Sequence, residues 1–152
     1  MKTLKSPKIN ALLISVVSTF YTFLFIFTSN HVEFMRLLSH SKTLNSDFWN
    51  SWSTFVQNGN MRYIGYVIIV LTIAIVFLTV LRKQDYDEYQ VNILAKGFVT
   101  AGIITVFMLP IALLLVLSDS NYAIEVMLCL LTSQWLGVLV VDLIYTAKYF
   151  KQ

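Results

Sequence analysis

Four long apolar stretches, separated by shorter polar segments, dominate the pattern of the sequence. They run from Ile9 to Thr28, from Tyr63 to Leu81, from Gly97 to Leu117 and from about Tyr122 to Tyr145. Each is close to the roughly 20 residues that an α-helix needs to cross a bilayer. The pattern therefore predicts an all-α fold, an integral membrane bundle of four transmembrane helices that forms one domain over residues 1–152.

Two features inside these spans predict local geometry. Pro110 lies within the third span and predicts a bend near residues 108–110, because proline removes a backbone hydrogen bond. Small side chains fall within one arc of the first span and predict a packing face, either inside the bundle or against another protein. These small residues are Ala11, Ser15, Ser18, Thr19 and Thr22.

The longest polar segment, residues 29–62, separates the first two spans and is predicted to be external. Within it, Ser46 and Asp47 can cap a helix, and Asn58-Gly59 can end one. Aromatic residues between these signals recur on one helical face. They are Phe48, Trp49, Trp52 and Phe55. We expect a short amphipathic helix, lying either at the headgroup boundary or as a lid over the bundle. A second short helix is predicted over residues 32–38.

Composition supports a membrane location. The chain is 57% hydrophobic and 12% charged, whereas about a quarter of the residues of soluble domains are charged. The net charge of +3 is scattered over the flanks of the apolar stretches. Because proteins that bind nucleic acid gather basic residues on one face, this scatter argues against direct nucleic-acid binding.

The distribution of lysine and arginine predicts the topology. Eight basic residues lie on one side of the predicted bundle: Lys2, Lys5, Lys8, Arg82, Lys83, Lys96, Lys148 and Lys151. Three lie on the other side: Arg36, Lys42 and Arg62. By the positive-inside rule we expect a multi-pass protein of the cell membrane with both termini in the cytoplasm.

Motifs for catalysis or cofactor binding are missing from the sequence. It has no glycine-rich phosphate loop, no paired histidines at helical spacing and no nucleophile elbow. His31 and His40 both fall in the external segment, where we expect exposed histidines and no metal site. Cys129 lies in an apolar run and is expected to be a small buried hydrophobe. The sequence therefore predicts a protein that is not an enzyme and has no cofactor.

Four polar residues fall within the spans or at their edges. Glu125 is about one turn below the external surface, and Asp142 is about one turn above the internal surface. If the last two spans are antiparallel, Lys96 is level with Asp142, which predicts an ion pair between them. Gln134 lies on the other side of its helix from Glu125. Since these groups form no continuous file, a transport function is disfavoured.

The loop between the second and third spans is acidic and aromatic. Asp85 and Glu88 have the spacing of a capping box, and Tyr86 and Tyr89 lie three residues apart. One interpretation is a well-capped helix that enters the membrane. The other is a surface, formed by Asp85, Tyr86, Asp87, Glu88 and Tyr89, on which a basic cytoplasmic partner docks.

The same loop carries a resemblance to a known family. The run Tyr86-Asp87-Glu88-Tyr89-Gln90, followed by Ile93-Leu94-Ala95-Lys96-Gly97, resembles small multi-span membrane proteins of Gram-positive bacteria in which an Asp-Glu-x-Gln element opens a helix. The resemblance covers the third and fourth spans. It implies a function like that of the membrane-bound inhibitor partner of LytTR-type transcription regulatory systems.

The leading hypothesis is a non-enzymatic, membrane-anchored regulatory protein that binds and restrains a cytoplasmic transcription regulator. One alternative is an immunity protein whose external aromatic helix intercepts a membrane-active peptide. Another is a small subunit of a membrane transport complex. Besides the lipid bilayer, the expected partner is a cytoplasmic regulator protein, and self-association into a homo-oligomer is left open.

Overall fold

The computed structural model describes residues 6–31, 46–82, 85–118 and 122–148. These residues form five α-helices and no strand: α1 (Pro7–Asn30), α2 (Asp47–Gln57), α3 (Met61–Leu81), α4 (Glu88–Ser118) and α5 (Ala123–Lys148). All except α2 are long and apolar enough to cross a membrane. The predicted fold is confirmed, with a short helix between the first two spans. The helix predicted over residues 32–38 lies outside the described residues.

The helices α1, α3 and α5 form the core of the bundle. On α5 the buried side chains follow one another at alternating steps of three and four residues: Glu125, Leu128, Thr132, Trp135, Leu139, Asp142 and Thr146. The same alternation relates the buried residues of α3: Met61, Gly65, Ile68, Ile75 and Thr79. This spacing is typical of helices that pack at a shallow left-handed angle. Glu125 and Asp142 therefore face the core and not lipid.

Most of the small residues predicted to form a packing face on α1 lie toward the bundle, but Thr19 does not. Ala11 and Ser18 are buried, and Thr22 lies beside Gly65 of α3, where an added Cβ would be 3.7 Å from the Thr22 carbonyl oxygen. The Thr19 side chain is exposed and donates only to the Ser15 carbonyl of its own helix, at 2.7 Å. Close backbone approach at Gly65 explains why this part of α1 carries small side chains.

The helix α4 lies at the periphery of the bundle. It packs mainly against α5, and its most apolar 18-residue stretch contains no buried residue. It is 31 residues long and continues through Pro110. A helix of that length spans about 46 Å, well beyond a hydrocarbon core of about 30 Å. It begins at Glu88, before the predicted start of the span at Gly97.

Candidate functional site

The start of α4 is fixed by a reciprocal pair of hydrogen bonds. The Asp87 Oδ1 atom accepts from the backbone nitrogen of Gln90 at 2.6 Å, and the Gln90 Oε1 atom accepts from the backbone nitrogen of Asp87 at 3.3 Å. This is a capping box with Asp87 as the capping residue. The predicted pair, Asp85 and Glu88, is therefore wrong by two residues. The later pair prevails because the Gln90 side chain is also held by the rest of the bundle.

Gln90 joins three helices on the side of the bundle where Pro7, Glu88 and Lys148 lie, which we call the terminal side. Its buried Oε1 atom accepts from Arg82 Nη2, just after α3, at 2.6 Å. Its backbone carbonyl accepts a short hydrogen bond from the Tyr145 hydroxyl of α5. These contacts tie the loop before α4 to the bundle.

Tyr86 is a second anchor of this loop, with only 4% of its surface exposed. Its ring packs against that of Tyr145, with centroids 5.9 Å apart, and the Arg82 guanidinium lies 4.8 Å from its centroid. Burial, reinforced by the nearby Asp142 carboxylate, raises the pKa of the Tyr86 hydroxyl above its ordinary value of 10.0, although Arg82 and Asn10 oppose the shift. Tyr86 is therefore a buried anchor of the loop, whereas the docking hypothesis expects it at the surface.

A buried polar pair joins α1 to α5 beneath this loop. The Asn10 side-chain amide donates to the two carboxylate oxygens of Asp142 at 3.2 and 3.4 Å, and both residues are buried. The arrangement differs from the predicted Lys96–Asp142 ion pair, since Lys96 is exposed on α4. The helical face of α5 that carries Asp142 is turned toward α1, whereas α4 is peripheral.

Sequence reasoning missed Asn10, although a signal was present. It is a strong hydrogen-bonding residue at the start of an apolar span, and it shares a helical face with Ile14 and Ser18. A polar residue on the packing face of a span needs a partner, because an unsatisfied polar group in lipid is costly. Its partner could have been sought among the other polar groups at the same depth.

The five predicted docking residues therefore differ in their roles. Tyr86 is buried. Asp87 is exposed, but one of its carboxylate oxygens caps the helix, and Asp85, Glu88 and Tyr89 are exposed as well. Tyr89 is 65% exposed despite its size. Besides the capping carboxylate, the structure thus presents two carboxylates and one aromatic ring on a segment whose buried residues hold it in place. We call Asp85, Glu88 and Tyr89 the acidic surface.

On the opposite side of the bundle, α2 packs over the start of α5. The Ser53 hydroxyl donates to Glu125 Oε1 at 2.8 Å, and the Trp52 indole donates to the Glu125 backbone carbonyl at 3.0 Å. The Tyr122 hydroxyl donates to Asn50 Oδ1 at 2.7 Å. Glu125 is completely buried. Of the two predicted arrangements of α2, the structure shows the lid.

The aromatic residues of α2 are divided between the bundle and the outside. Trp52 and Phe55 pack against the hydrophobic core, and the Trp49 ring lies 6.2 Å from that of Tyr122. Phe48 is 60% exposed. Most of the predicted interfacial face is therefore used to attach the lid.

Gln134 has a separate role near the middle of α5. Its side-chain amide donates to the Thr105 hydroxyl of α4 at 2.8 Å, so it faces away from Glu125 and Asp142. The neighbouring Trp135 indole donates to Ser18 of α1 at 3.2 Å. These polar groups make pairwise bridges between helices and do not form a file along one face.

Within the ranges that the structure describes, no group of three or more histidine, cysteine, aspartate or glutamate side chains could hold a metal ion. The His31 ring lies 5.1 Å from that of Phe27, and Cys129 is half-buried. His40 lies outside the described residues.

Comparison of the chain with models of protein families, with curated proteins and with solved structures finds no match. The function must therefore be inferred from the chemistry and geometry of the chain itself.

Proposed function

We propose that this protein is a non-enzymatic, membrane-anchored regulatory protein that binds and restrains a cytoplasmic transcription regulator through its acidic surface. The supporting observation is the way the loop before α4 is built. Tyr86 and Gln90 are buried and hydrogen-bonded or packed against the bundle, whereas the three residues of the acidic surface are exposed. A surface held in place before binding loses little conformational entropy when a partner arrives.

The chemistry of the acidic surface suits a basic partner. Asp85 and Glu88 provide negative charge that would attract a positively charged protein and orient it. Tyr89 provides an exposed aromatic ring of the kind that dominates the energetics of many interfaces. Because DNA-binding proteins carry a basic face that neutralises phosphates, carboxylates can compete with DNA for that face. Restraint of a regulator would then follow from occupation of its DNA-binding surface.

The orientation of the bundle is part of the proposal. The positive-inside rule places the terminal side, and with it the acidic surface, in the cytoplasm of the cell. A cytoplasmic regulator could then reach Tyr89 directly from solution. Reporter fusions at the C-terminus and in the external segment provide a simple check of this orientation.

The first experiment is photocrosslinking in cells from position 89, with position 86 as the matched control. Both positions hold tyrosine in the native chain, three residues apart, but Tyr89 is exposed and Tyr86 is buried. A photoreactive phenylalanine derivative at position 89 should capture a DNA-binding protein, whereas the same group at position 86 should crosslink within the bundle. Recovery from position 89 of lipid and self-crosslinks alone would refute the docking proposal.

Charge reversal tests whether the captured partner is regulated. We expect the Asp85→Lys/Glu88→Lys variant to release the regulator and change expression of its target genes. Asp47→Lys, a charge reversal at an exposed residue of α2 on the other side of the bundle, is the control. Unchanged target expression in an inserted, normally abundant Asp85→Lys/Glu88→Lys variant would contradict the proposal.

One observation favours a second candidate, a small subunit of a membrane transport complex. The most apolar stretch of α4 buries none of its residues against the rest of the chain, and the Phe107 side chain is 70% exposed. This surface could pack against a larger permease. Photocrosslinking from position 107 should then capture that permease, and capture of lipid alone would remove the support for this candidate.

A further inference from the structure

A cavity of about 630 Å³ lies between α4 and α5. Small side chains on both helices create the space: Gly97, Ala101 and Thr105 on α4, with Ser133 and Gly137 on α5. Gly137 is exposed, and a Cβ added to it would meet no atom within 4 Å. The two helices are joined near the middle of the membrane by the Gln134–Thr105 hydrogen bond. The result is an apolar groove along the membrane-facing side of this helix pair.

The lining of the groove suits a slender apolar ligand. Most of the residues that line it are apolar, and only Lys96 and Asp142 among them carry an ionisable acidic or basic group. A single lipid chain is slender enough to lie in such a space, and cavities of this size are typical of sites for small apolar ligands.

The two ends of the groove differ in polarity. Lys96 lines it near the terminal side, and Met108 and Leu109 line it further along α4. From Lys96 to Leu109 is about 20 Å at about 1.5 Å per residue. This is about two-thirds of a hydrocarbon core of about 30 Å, and on α5 the lining continues from Tyr145 to Met127, over about 27 Å. The groove is thus long enough for an extended acyl chain, with a cation near the terminal side and apolar side chains along the rest of its length.

We propose that this groove binds one anionic phospholipid from the leaflet on the terminal side. The phosphate of the lipid lies at the exposed Lys96 ammonium, and one acyl chain fills the space beside Gly137. Asp142 also lines the groove, but the residue is only 2% exposed and its carboxylate accepts hydrogen bonds from Asn10 of α1. The proposal is independent of the function of the acidic surface, because none of the residues of that surface lines the groove.

The test uses the full-length protein in phosphatidylcholine nanodiscs that contain a small fraction of phosphatidylglycerol with a photoreactive acyl chain. Crosslinked residues are identified by mass spectrometry. In the native protein we expect labelling concentrated on the groove side of α4 and α5, and exceeding labelling by an equivalent phosphatidylcholine probe. One lysine near a phosphate predicts a preference of roughly fivefold for the anionic lipid.

Two matched pairs of variants identify the parts of the site. Gly137→Leu fills the groove and should abolish concentrated labelling, whereas Gly102→Leu, where an added Cβ also meets no atom within 4 Å, should leave it intact. Lys96→Gln should remove most of the anionic preference, whereas Lys8→Gln, an equal change at an exposed lysine on the same side, should preserve it. Since leucine favours a helix more than glycine does, both glycine variants are expected to fold.

The outcomes against the proposal are equally defined. Even labelling over all lipid-facing residues of α3 and α4 in the native protein would show that the groove holds only bulk lipid. Equal loss of labelling in Gly137→Leu and Gly102→Leu would show that occupancy of the groove is not responsible. An unchanged anionic preference in Lys96→Gln would exclude Lys96 as the headgroup site.

Discussion

The buried pair formed by Asn10 and Asp142 should contribute measurably to the stability of the bundle. Replacing Asn10 with leucine removes the donor that lies 3.2 and 3.4 Å from the two Asp142 oxygens and leaves that carboxylate among buried residues. Loss of a partner from a buried, charged hydrogen-bond pair costs about 3 kcal/mol or more in soluble proteins. Interhelical hydrogen bonds in membranes contribute less, with a maximum of about 1.7 kcal/mol in double-mutant cycles. We therefore expect a cost of about 1–3 kcal/mol for Asn10→Leu.

The assay is reversible unfolding in mixed micelles, performed as a double-mutant cycle. Asn10→Leu and Asp142→Leu are measured singly and together, and the double variant should regain most of the stability lost in Asn10→Leu. Thr19→Val is the control, because it removes a hydroxyl from an exposed position of the same helix. If the effects of the two leucine substitutions simply add, the two side chains do not interact and the packing of α1 on α5 at this level is wrong.

Three further outcomes follow from the contacts. Ser53→Ala removes the donor to the buried Glu125 carboxylate and should destabilise the packing of the α2 lid by about 1–3 kcal/mol. The measurement is the rate of proteolysis within α2, which should rise. Thr54→Ala is the control and should leave this rate unchanged, because the Thr54 hydroxyl donates to a carbonyl of its own helix. Gly65→Leu should lower the free energy of unfolding by about 1–3 kcal/mol, because a Cβ at this position already lies 3.4 Å from the Ile26 side chain of α1. A variant as stable as the native chain would contradict the close approach of α1 and α3. Because the folded state raises the pKa of Tyr86, its contribution to stability is complete below about pH 10 and is lost as the pH rises through the folded pKa. Tyr86→Phe should therefore unfold with a weaker pH dependence above about pH 10, and an unchanged slope would contradict this.

The architecture was predictable from the sequence because a bilayer imposes a strict requirement on it. Every spanning helix needs about 20 apolar residues, and four stretches of the chain meet that length. The second span is predicted from Tyr63 to Leu81, and the observed helix α3 begins two residues earlier, at Met61, and ends at the same residue. The start of α4 was less predictable, because the loop holds two possible capping pairs, Asp85 with Glu88 and Asp87 with Gln90. Tertiary contacts to Gln90 decided between them.

The pairing of polar groups could not be deduced from depth alone. Lys96 and Asp142 have opposite charges and were predicted at the same level, which favours an ion pair in an evenly packed four-helix bundle. The actual arrangement depends on which helices form the core. Because α4 is peripheral and the Asn10 end of α1 reaches the buried face of α5, Asp142 meets Asn10 and Lys96 remains at the surface. A correct prediction would have required the order of the helices around the bundle.

The peripheral position of α4 also explains how the protein combines a tightly bridged core with two exposed features, the groove and the acidic surface. The polar bridges at the two ends, Ser53–Glu125 and Asn10–Asp142, both involve α5 and both lie in its buried seam. These bridges fix α1, α2 and α5 relative to one another. The helix α4 is attached at its start, where Gln90 accepts hydrogen bonds from Arg82 and Tyr145, and through the Thr105–Gln134 bond. Attachment at these two levels leaves the groove between α4 and α5 open, and it holds the acidic surface at the end of the helix that borders the groove.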